Sequence, residues 1–456
     1  MSTIDHGSAP VASPGIGAPQ YDATSETAGQ FARRNGWLAP YRVIDLSDER
    51  GLLAGHMLAQ LGADVIQVEP PAGSRARQAA PFASIGGGAP QSMYWAAYAA
   101  GKRGATCDLQ QPAGRELLHQ LLTKADFLIE SAEPGEMARL GLDHATLAER
   151  HPHLVHVSIT AFGSDGPKAN YHATDLTLWA AGGPLLPNRD ANGTPLRLSV
   201  PQAWLHGAAD GACGALIAHF ARLASGRGQH VDISVQQSVA QATLSTILSA
   251  AVGHENHSVG GTPAGPQAKK QLDLSGSGAR TRRSKWKLAD GLLEMHLAMG
   301  PAAGRYTNAL FAWMLEEGAC DTTTAAWDWV NIPKLIESGA VTDADMEAAR
   351  AEVEQFLSTR SKAEMMENAV RRKLLMAPIA MMADLAISPH YAERGFFQQV
   401  GTPALTLPGN FALGTADGFV PLTAAPSVGQ HNDTVYRELC GLDAQRIAAI
   451  AEAGVI

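Results

Sequence analysis

Two apolar runs and the helical stretch between them decide the fold: Tyr41-Arg-Val-Ile-Asp-Leu46, then Gly51 to Leu61, then Ala63-Asp-Val-Ile-Gln-Val68. The first and last runs are short and rich in valine and isoleucine, which is typical of buried strands. The middle stretch places Leu53, Met57 and Leu61 at the spacing of one helix face. Together the three segments predict a βαβ unit.

The same alternation of strands and helices continues after this unit. We predict strands near Ala105–Leu109, Phe127–Glu130, Leu154–Ile159 and Gln229–Ser234, with helices at Ala113–Lys124, Asp143–Arg150 and Ala203–Leu223. Helices interleaved with short apolar strands favour a mostly parallel sheet that is covered on both faces. The sequence therefore predicts the α/β class, with a first domain that ends at about Val252.

The chain outside this domain divides into three parts. Residues 1–40 are rich in Ala, Pro, Gly and Ser without periodicity, which predicts a flexible N-terminal extension. After Gly253, a loop-like stretch leads to a strand near Gly291–Leu297 and to helices near Ala302–Leu315 and Thr342–Leu357, which predicts a second, smaller domain. The final residues, from His431, contain two short helices without a core of their own.

Composition and charge restrict the classes of function. The 456 residues are 45% hydrophobic and 17% charged, which is typical of a globular protein. The net charge of −9, from 35 Lys and Arg against 44 Asp and Glu, argues against general adhesion to nucleic acid or anionic lipid. Four separated cysteines indicate a reducing compartment, and no apolar run approaches the ~18–20 residues of a membrane span. We expect a cytoplasmic protein with neither nucleic acid nor membrane as a partner.

Common ligand signatures are incomplete in this sequence. Gly51-Leu-Leu-Ala-Gly55 lacks the GxGxxG spacing of a dinucleotide site, although Glu69 stands where a ribose-binding acid would. Neither the cluster of His151, His153 and His156 nor the pair His254 and His257 has the HExxH spacing or an evident further ligand, so we expect no metal. A cluster of seven basic residues is consistent with either a solvated loop or a phosphate-binding patch. These residues are Lys269, Lys270, Arg280, Arg282, Arg283, Lys285 and Lys287.

Further motifs identify a family. They follow one another in this order: Asp45-Leu-Ser47, Gly51 to Pro71, Gly101-Lys-Arg103, Glu130-Ser-Ala-Glu-Pro-Gly135, Ile159 to Pro167, Asp175 seven residues before Gly182-Gly183, Gly226 to Ser234, Ala377-Pro378, Arg394-Gly-Phe-Phe397, and Tyr436 to Ile456. In this order, from about Tyr41 to the last residue, they resemble the class III CoA-transferases, the CaiB/BaiF family that includes formyl-CoA transferase.

The resemblance implies a fold and an assembly. Family members combine a large Rossmann-like domain, which has a parallel sheet, with a smaller α+β domain, and two chains interlock as rings in a homodimer. Transferred to this chain, the large domain comprises residues 41–252 and 425–456, the small domain comprises 253–390, and 391–424 form a linker that returns to the large domain. This arrangement accounts for the C-terminal helices that have no core of their own.

The resemblance also implies a reaction. The family nucleophile is an aspartate that corresponds to Asp175, and a carboxylate near a helix N-terminus is favoured by the free amides there. Its attack on an acyl-CoA thioester would give a mixed anhydride, then an enzyme–CoA thioester, from which a carboxylic acid acceptor takes CoA without ATP or metal. Candidate oxyanion donors are the glycines Gly182, Gly183, Gly260 and Gly261.

The resemblance places CoA contacts on four segments. The first segment follows the first strand, and the second follows the second strand. The third contains the Gly101-Lys-Arg103 motif, and the fourth begins at Glu130. The predicted CoA-contact residues are Ser47, Asp48, Glu49, Arg50, Arg75, Arg77, Lys102, Arg103, Ser131, Ala132 and Arg139.

Two alternatives stay open. The fold also hosts 2-methylacyl-CoA racemases, in which an aspartate and a histidine exchange the α-proton from opposite faces, and His144 is the nearest candidate partner for Asp175. Some relatives act as heteromers, so the chain could instead be a non-catalytic CoA-binding subunit that pairs with an active partner.

Overall fold

A six-stranded parallel sheet lies at the centre of the N-terminal half in a computed structural model, which describes residues 36–186, 188, 194–244, 248, 251, 284–414 and 418–456. The elements of this half are β1 (Arg42–Asp45), α1 (Leu52–Gln60), β2 (Asp64–Glu69), β3 (Phe82–Ser84), β4 (Pro90–Ser92), α2 (Met93–Tyr98), β5 (Arg103–Thr106), α3 (Pro112–Leu122), β6 (Phe127–Glu130), α4 (Glu136–Arg139), α5 (His144–Arg150), β7 (Val155–Thr160), α6 (Asp175–Gly182), α7 (Ala203–Ser225), β8 (His230–Ser234) and α8 (Val235–Ala240).

The strand order makes the sheet doubly wound. The strands lie in the order β5-β2-β1-β6-β7-β8, and every neighbouring pair is parallel. The chain therefore moves outward from β1 through β2 to β5, and then outward on the other side of β1 from β6 to β8. This confirms the predicted βαβ unit, the parallel sheet and the α/β class. In such sheets, ligands bind at the carboxyl ends of the strands where the winding reverses, which here is between β1 and β6.

Helices bury both faces of the sheet because both faces are apolar. On one face, Val43, Val157 and Ile159 pack against α1, α6, α7 and α8. On the other face, Ile44 and Leu128 pack against α3 and α5 and against residues from the end of the chain. The adjacent apolar residues of β1, β2 and β6 thus lose water on both sides, which explains their short continuous apolar runs, whereas β7 and β8 alternate apolar with polar residues.

The remaining elements are β9 (Lys285–Lys287), β10 (Leu292–Met295), α9 (Gly304–Glu316), α10 (Thr322–Ala325), α11 (Ile332–Glu337), α12 (Asp343–Ser358), α13 (Lys362–Arg372), β11 (Met376–Ile379), α14 (Met382–Ala386), α15 (Pro389–Glu393), β12 (Phe397–Val400), β13 (Leu405–Pro408), α16 (Asn432–Cys440) and α17 (Ala444–Glu452). An antiparallel sheet β11-β10-β9 and helices α9 to α13 enclose a separate core around Trp313, Trp329 and Phe311. The division of the chain into domains stays a prediction.

The C-terminal helices complete the core of the N-terminal half. Val435, Tyr436 and Leu439 of α16 and Ile447 of α17 join the core on the α3 side of the parallel sheet. The Tyr436 hydroxyl donates a hydrogen bond to the carbonyl of Thr106 at the end of β5. These contacts explain how two short helices without a core of their own are stabilised. No helix in the described parts of the chain is long and apolar enough to span a membrane.

Candidate active site

Two loops meet at the carboxyl ends of β1 and β6, where the winding of the sheet reverses. The Asp48 N–H donates to the Ser131 hydroxyl at 3.1 Å, and that hydroxyl donates to Oδ1 of Asp48 at 3.0 Å. The buried Glu130 carboxylate accepts the N–H of Ala132 at 2.6 Å. In the first loop, the Ser47 hydroxyl donates to Oδ1 of Asp45 at 2.6 Å. The predicted contact residues Ser47, Asp48, Ser131 and Ala132 therefore form one hydrogen-bonded edge.

Arg50 joins the two loops. Its guanidinium binds both carboxylate oxygens of Asp48, at 2.8 and 2.7 Å, and reaches Oε1 of Glu133 at 2.5 Å. Burial alone would raise the pKa of the Asp48 carboxyl, but the hydrogen bonds and charge of Arg50, with the hydroxyl of Ser131, hold that pKa below its usual value. The guanidinium carbon also lies 5.7 Å from the centre of the Trp204 ring, within the range of a cation–π contact.

An open cleft lies beside Arg50. Its lining combines the polar side chains of Arg50, Glu133 and His172 with the aromatic rings of Tyr171 and Trp204. Nδ1 of His172 lies 2.7 Å from Oε2 of Glu133, so this carboxylate stands between a histidine and the arginine. The cleft lies where an α/β sheet binds its ligands, and it offers polar contacts next to apolar surface.

Asp175 lies at the N-termini of two helices, two residues after Ala173 and bonded to Ala203 next to Trp204, and both Ala173 and Trp204 line the cleft. It is the first residue of α6, where Thr174 and Thr177 form a capping box. Its Oδ1 accepts the backbone N–H of Ala203, the first residue of α7, at 2.6 Å. The partial positive charges of both helix N-termini favour a negative charge at this position. Among the residues that the structure describes, none donates a hydrogen bond to the second oxygen, Oδ2.

Tyr94, Trp204 and Ala203 were not predicted as site residues, because none of them lies in a recognisable motif. The Tyr94 hydroxyl, on α2, donates to the carbonyl of Glu49 at 2.7 Å. Burial raises the pKa of Tyr94 above its usual value, and Tyr98 and the negative charges of Glu49, Asp48 and Asp175 raise it further. The charge of Asp175 therefore acts on the same group as the charges of the loop after β1, which connects the two parts of the site.

Comparison with known proteins decides the family. The model of CoA-transferase family III matches residues 38–432. The chain belongs to this family. The succinyl-CoA:(R)-benzylsuccinate CoA-transferase subunit BbsE of Thauera aromatica is 31% identical over 428 residues, which cover 91% of this chain and 97% of that protein. The formyl-CoA:oxalate CoA-transferase of Streptomyces coelicolor is 25% identical over 439 residues, covering 91% and 98%.

Solved structures agree on the fold. A CAIB/BAIF family protein from Brucella suis has a TM-score of 0.69 and 21% sequence identity, with 88% of this chain and 98% of that chain covered. The protein is thus an enzyme of the family III CoA-transferase class, whose substrates are CoA thioesters and acids. The resemblance to the CaiB/BaiF family that the motifs predicted is confirmed.

The predicted CoA contacts of this family III enzyme fall into two structural groups. Besides the loop residues described above, Arg75 and Arg139 have exposed side chains, at 71% and 60%, with Glu49 and Glu136 as their acidic neighbours. Arg77 instead binds both oxygens of the fully buried Glu69 carboxylate at 2.7 Å, and it lies over the Trp95 ring. Arg75 and Arg139 are therefore open to an anionic ligand, whereas the guanidinium of Arg77 is engaged within the protein.

Lys102 and Arg103 are both buried, and each forms ion pairs with acidic side chains. Nζ of Lys102 donates to Oδ2 of Asp45 at 2.8 Å, and to the Leu52 carbonyl and Oε1 of Gln67 at 2.9 Å each. Arg103 binds both oxygens of Asp64, at 2.9 and 2.6 Å, and reaches Glu438 at 2.9 Å. The structure gives both cations internal partners, and their predicted contact with the CoA phosphates stays a prediction.

Two of the four glycines that were predicted as oxyanion donors, Gly182 and Gly183, lie at the end of α6. Gly182 lets α6 approach α8, because a Cβ at this position would lie 2.1 Å from Cγ2 of Val239. Gly183 ends α6 with φ of +103°, a conformation that suits glycine. Both lie about 10–12 Å along the helix axis from Asp175, given 1.5 Å per residue. Gly260 and Gly261 lie outside the described residues, as do His254, His257 and five of the seven clustered basic residues.

His144 does not share a face of the sheet with Asp175. Its ring stacks on His230, 4.7 Å between centres, and lies 5.9 Å from His156. These two histidines are paired near the beginnings of β8 and β7, on the face that α5 covers, whereas α6 packs on the opposite face. The sheet therefore separates His144 from Asp175, and this pair cannot act on the two faces of one substrate carbon. Of the histidines in the described chain, His172 is the one that lines the cleft.

The buried histidines make stability depend on pH. Burial, followed by the charges of His156 and His144, lowers the pKa of His230 to about 4, and burial with neighbouring charges lowers that of His151 to about 4. The unfolded chain binds protons on both histidines below about pH 6.5, and the folded chain only near pH 4. The free energy of unfolding should therefore fall as the pH drops from about 6.5 toward 4, by at most about 1.4 kcal/mol per pH unit for each histidine.

Urea unfolding between about pH 5.5 and 7, above the range in which most carboxylates titrate, checks this slope. His230→Gln should reduce the pH dependence of the free energy of unfolding by the contribution of one histidine. An unchanged slope in that variant would show that His230 takes up its proton equally in the folded and unfolded chain.

Proposed function

We propose that this family III CoA-transferase moves CoA from an acyl-CoA thioester to a free carboxylic acid through covalent intermediates on Asp175. The observation that carries the proposal is the position of this carboxylate. It lies beside the cleft at the carboxyl end of the sheet, its Oδ1 is held by the Ala203 N–H, and Oδ2 has no donor among the described residues. A carboxylate placed in this way is available to attack an activated carbonyl.

The proposed reaction proceeds through exchange of bonds at Asp175. Oδ2 attacks the thioester carbonyl, and the carbon–sulfur bond breaks. The CoA thiolate departs, and a mixed anhydride of Asp175 and the acyl group is formed. The thiolate then attacks Cγ of Asp175, which releases the donor acid and forms an aspartyl–CoA thioester. The acceptor carboxylate attacks this thioester, and the returning thiolate converts the second anhydride into acyl-CoA and free Asp175. One thioester replaces another, so no ATP is needed.

We place the pantetheine arm of CoA in the cleft between the loops after β1 and β6. The support is the hydrogen-bonded edge formed by Ser47, Asp48, Ser131 and Ala132, next to the aromatic surface of Trp204. Arg75 and Arg139 have the exposure that phosphate contacts require. The side chains of Arg77, Lys102 and Arg103 are 19%, 0% and 2% exposed and each binds an acidic side chain of the protein, and we therefore leave them out of this proposed site.

For the assembly, we propose an interlocked homodimer in the cytoplasm. All four cysteines are free thiols in the structure, which fits a reducing compartment. A second candidate assembly is a heteromer with another CoA-transferase chain, and the observation that favours it is that BbsE, the relative from Thauera, is named as a subunit. Purified protein that transfers CoA without a second polypeptide would exclude this alternative.

Mass spectrometry after incubation with a panel of acyl-CoAs tests the reaction. Succinyl-CoA and formyl-CoA lead the panel, since the two curated relatives are named for these donors. We expect a CoA adduct on the peptide that contains Asp175. An adduct on another peptide, or none with any donor, would contradict the proposal. Deuterium from solvent at the α-carbon, without acceptor acid, would instead support a racemase.

A further inference from the structure

The contact between Ala203 and Asp175 carries an inference that rests on the proposed function. We propose that the backbone N–H of Ala203 is an oxyanion donor for the intermediates that form on Cγ of Asp175. The donor nitrogen lies 2.6 Å from Oδ1, and no side chain of Gln202 caps the helix. The helix that begins at Ala203 is the 23-residue α7, so its first N–H groups carry the positive end of a long dipole.

The charge on Oδ1 changes in the direction that this donor favours. In the mixed anhydride, Oδ1 is a neutral carbonyl oxygen. When the CoA thiolate attacks Cγ, a carbon–sulfur bond forms and the electron pair of the carbonyl moves to Oδ1, which becomes an anion. The anion collapses as the bond between Cγ and Oδ2 breaks and the donor acid leaves. A hydrogen bond to Oδ1 is therefore stronger in the transition state than in the anhydride, which is the condition for catalysis.

The same donor serves the second half of the reaction. When the acceptor carboxylate attacks the aspartyl–CoA thioester, Cγ is again the carbon that is attacked, and Oδ1 again takes the negative charge. The first step differs, because there Oδ2 attacks the substrate carbonyl and the negative charge on Oδ1 decreases. Removal of the Ala203 N–H should thus slow the two steps at Cγ and leave the first step intact.

The surroundings keep this donor fixed and away from water. Ala203 is 0% exposed, and the neighbouring Trp204 ring lies under the Arg50 guanidinium. Close packing fixes α7 itself, since a Cβ at Gly207 would lie 2.5 Å from the side chain of Val235, and one at Gly211 would lie 3.0 Å from that of Ile159. A preorganised donor shielded from solvent interacts strongly with a developing charge.

Replacing the amide at position 203 by an ester tests the proposal. Lactic acid in place of alanine removes the N–H but keeps the side chain and the trans backbone. Ala203→Pro removes the same donor independently, and because a following proline disfavours the ψ of −18° at Gln202, this variant counts only where it unfolds at the wild-type temperature. The same ester replacement at Ala145, an exposed residue in the first turn of α5 on the other face of the sheet, removes a helix N-terminal N–H away from the cleft and is the matched control. Thermal unfolding of each variant reports its fold, so a loss shared by the first two and absent in the third reports on the N–H.

We expect kcat to fall by about 10²–10³-fold in the ester and proline variants, with the KM for acyl-CoA almost unchanged. Rapid quenching after mixing with acyl-CoA should show slow formation of the aspartyl–CoA thioester and accumulation of the anhydride, trapped with hydroxylamine. Thioester formation at the wild-type rate in the folded ester variant would overturn this proposal alone. Absence of any Asp175 adduct in the wild-type enzyme would overturn the proposed function and this inference with it.

Discussion

Asp175→Asn should lower the rate of CoA transfer by about 10⁴–10⁶-fold, the loss typical of a removed covalent nucleophile. The reason is that the neutral amide cannot form the anhydride, and no described side chain offers a second carboxylate at the same place beside Ala203. The amide oxygen of asparagine can still accept the Ala203 N–H, so we expect the fold to persist. Coupled assay of acyl-CoA consumption, with mass spectrometry of the Asp175 peptide, measures the effect.

Asp210→Asn is the matched control for this variant. Asp210 is another partly buried carboxylate on α7, and it lies seven residues, roughly 10 Å along the helix axis, beyond the Ala203 N–H that holds Asp175. We expect wild-type transfer and a normal CoA adduct in this control. Wild-type turnover by Asp175→Asn would disprove covalent catalysis by this residue.

Lys102→Met should lower the free energy of unfolding by about 3–5 kcal/mol, because it leaves a buried charge without its partner. The side chains of Lys102 and Asp45 are both 0% exposed, and Nζ lies 2.8 Å from Oδ2. Methionine also leaves the Leu52 carbonyl and Oε1 of Gln67 without their donor. Denaturant unfolding of the purified variant measures the loss.

Two further variants separate the causes of this effect. Asp45→Asn added to Lys102→Met removes the uncompensated charge and should restore part of the lost stability. Lys124→Met changes an exposed lysine and should alter stability by less than about 0.5 kcal/mol. If Lys102→Met instead raised the KM for CoA and left stability unchanged, the lysine would be a phosphate contact and the buried pair would be unimportant for the fold.

Lys102 and Arg75 show the limit of sequence reasoning about this site. Both are basic residues in segments that resemble CoA contacts, and nothing in the local sequence distinguishes them. The structure buries Lys102 against Asp45, a residue 57 positions away, and leaves Arg75 71% exposed. Long-range burial of a cation depends on how β5 packs beside β2 and β1, so the local pattern could not predict it.

Local sequence predicted the strands of the parallel sheet better than it predicted the short hairpin beside them. The apolar residues of β1, β2 and β6 are adjacent and those of β7 and β8 alternate with polar residues, and each of these strands was predicted near its observed position. The hairpin of β3 (Phe82–Ser84) and β4 (Pro90–Ser92) was not predicted. Its residues are largely exposed, so no apolar periodicity marks them.

The α/β class, the order of the scaffold elements and the family follow from the amino-acid sequence alone, because apolar periodicity and ordered motifs are properties of neighbouring residues. Tertiary structure decided which residues share the site. It brought the N–H of Ala203 to Asp175, 28 residues earlier, placed Trp204 under Arg50, and put His144 on the opposite face of the sheet. These relations depend on where strands and helices pack against one another, and each distance joins residues that are remote along the chain.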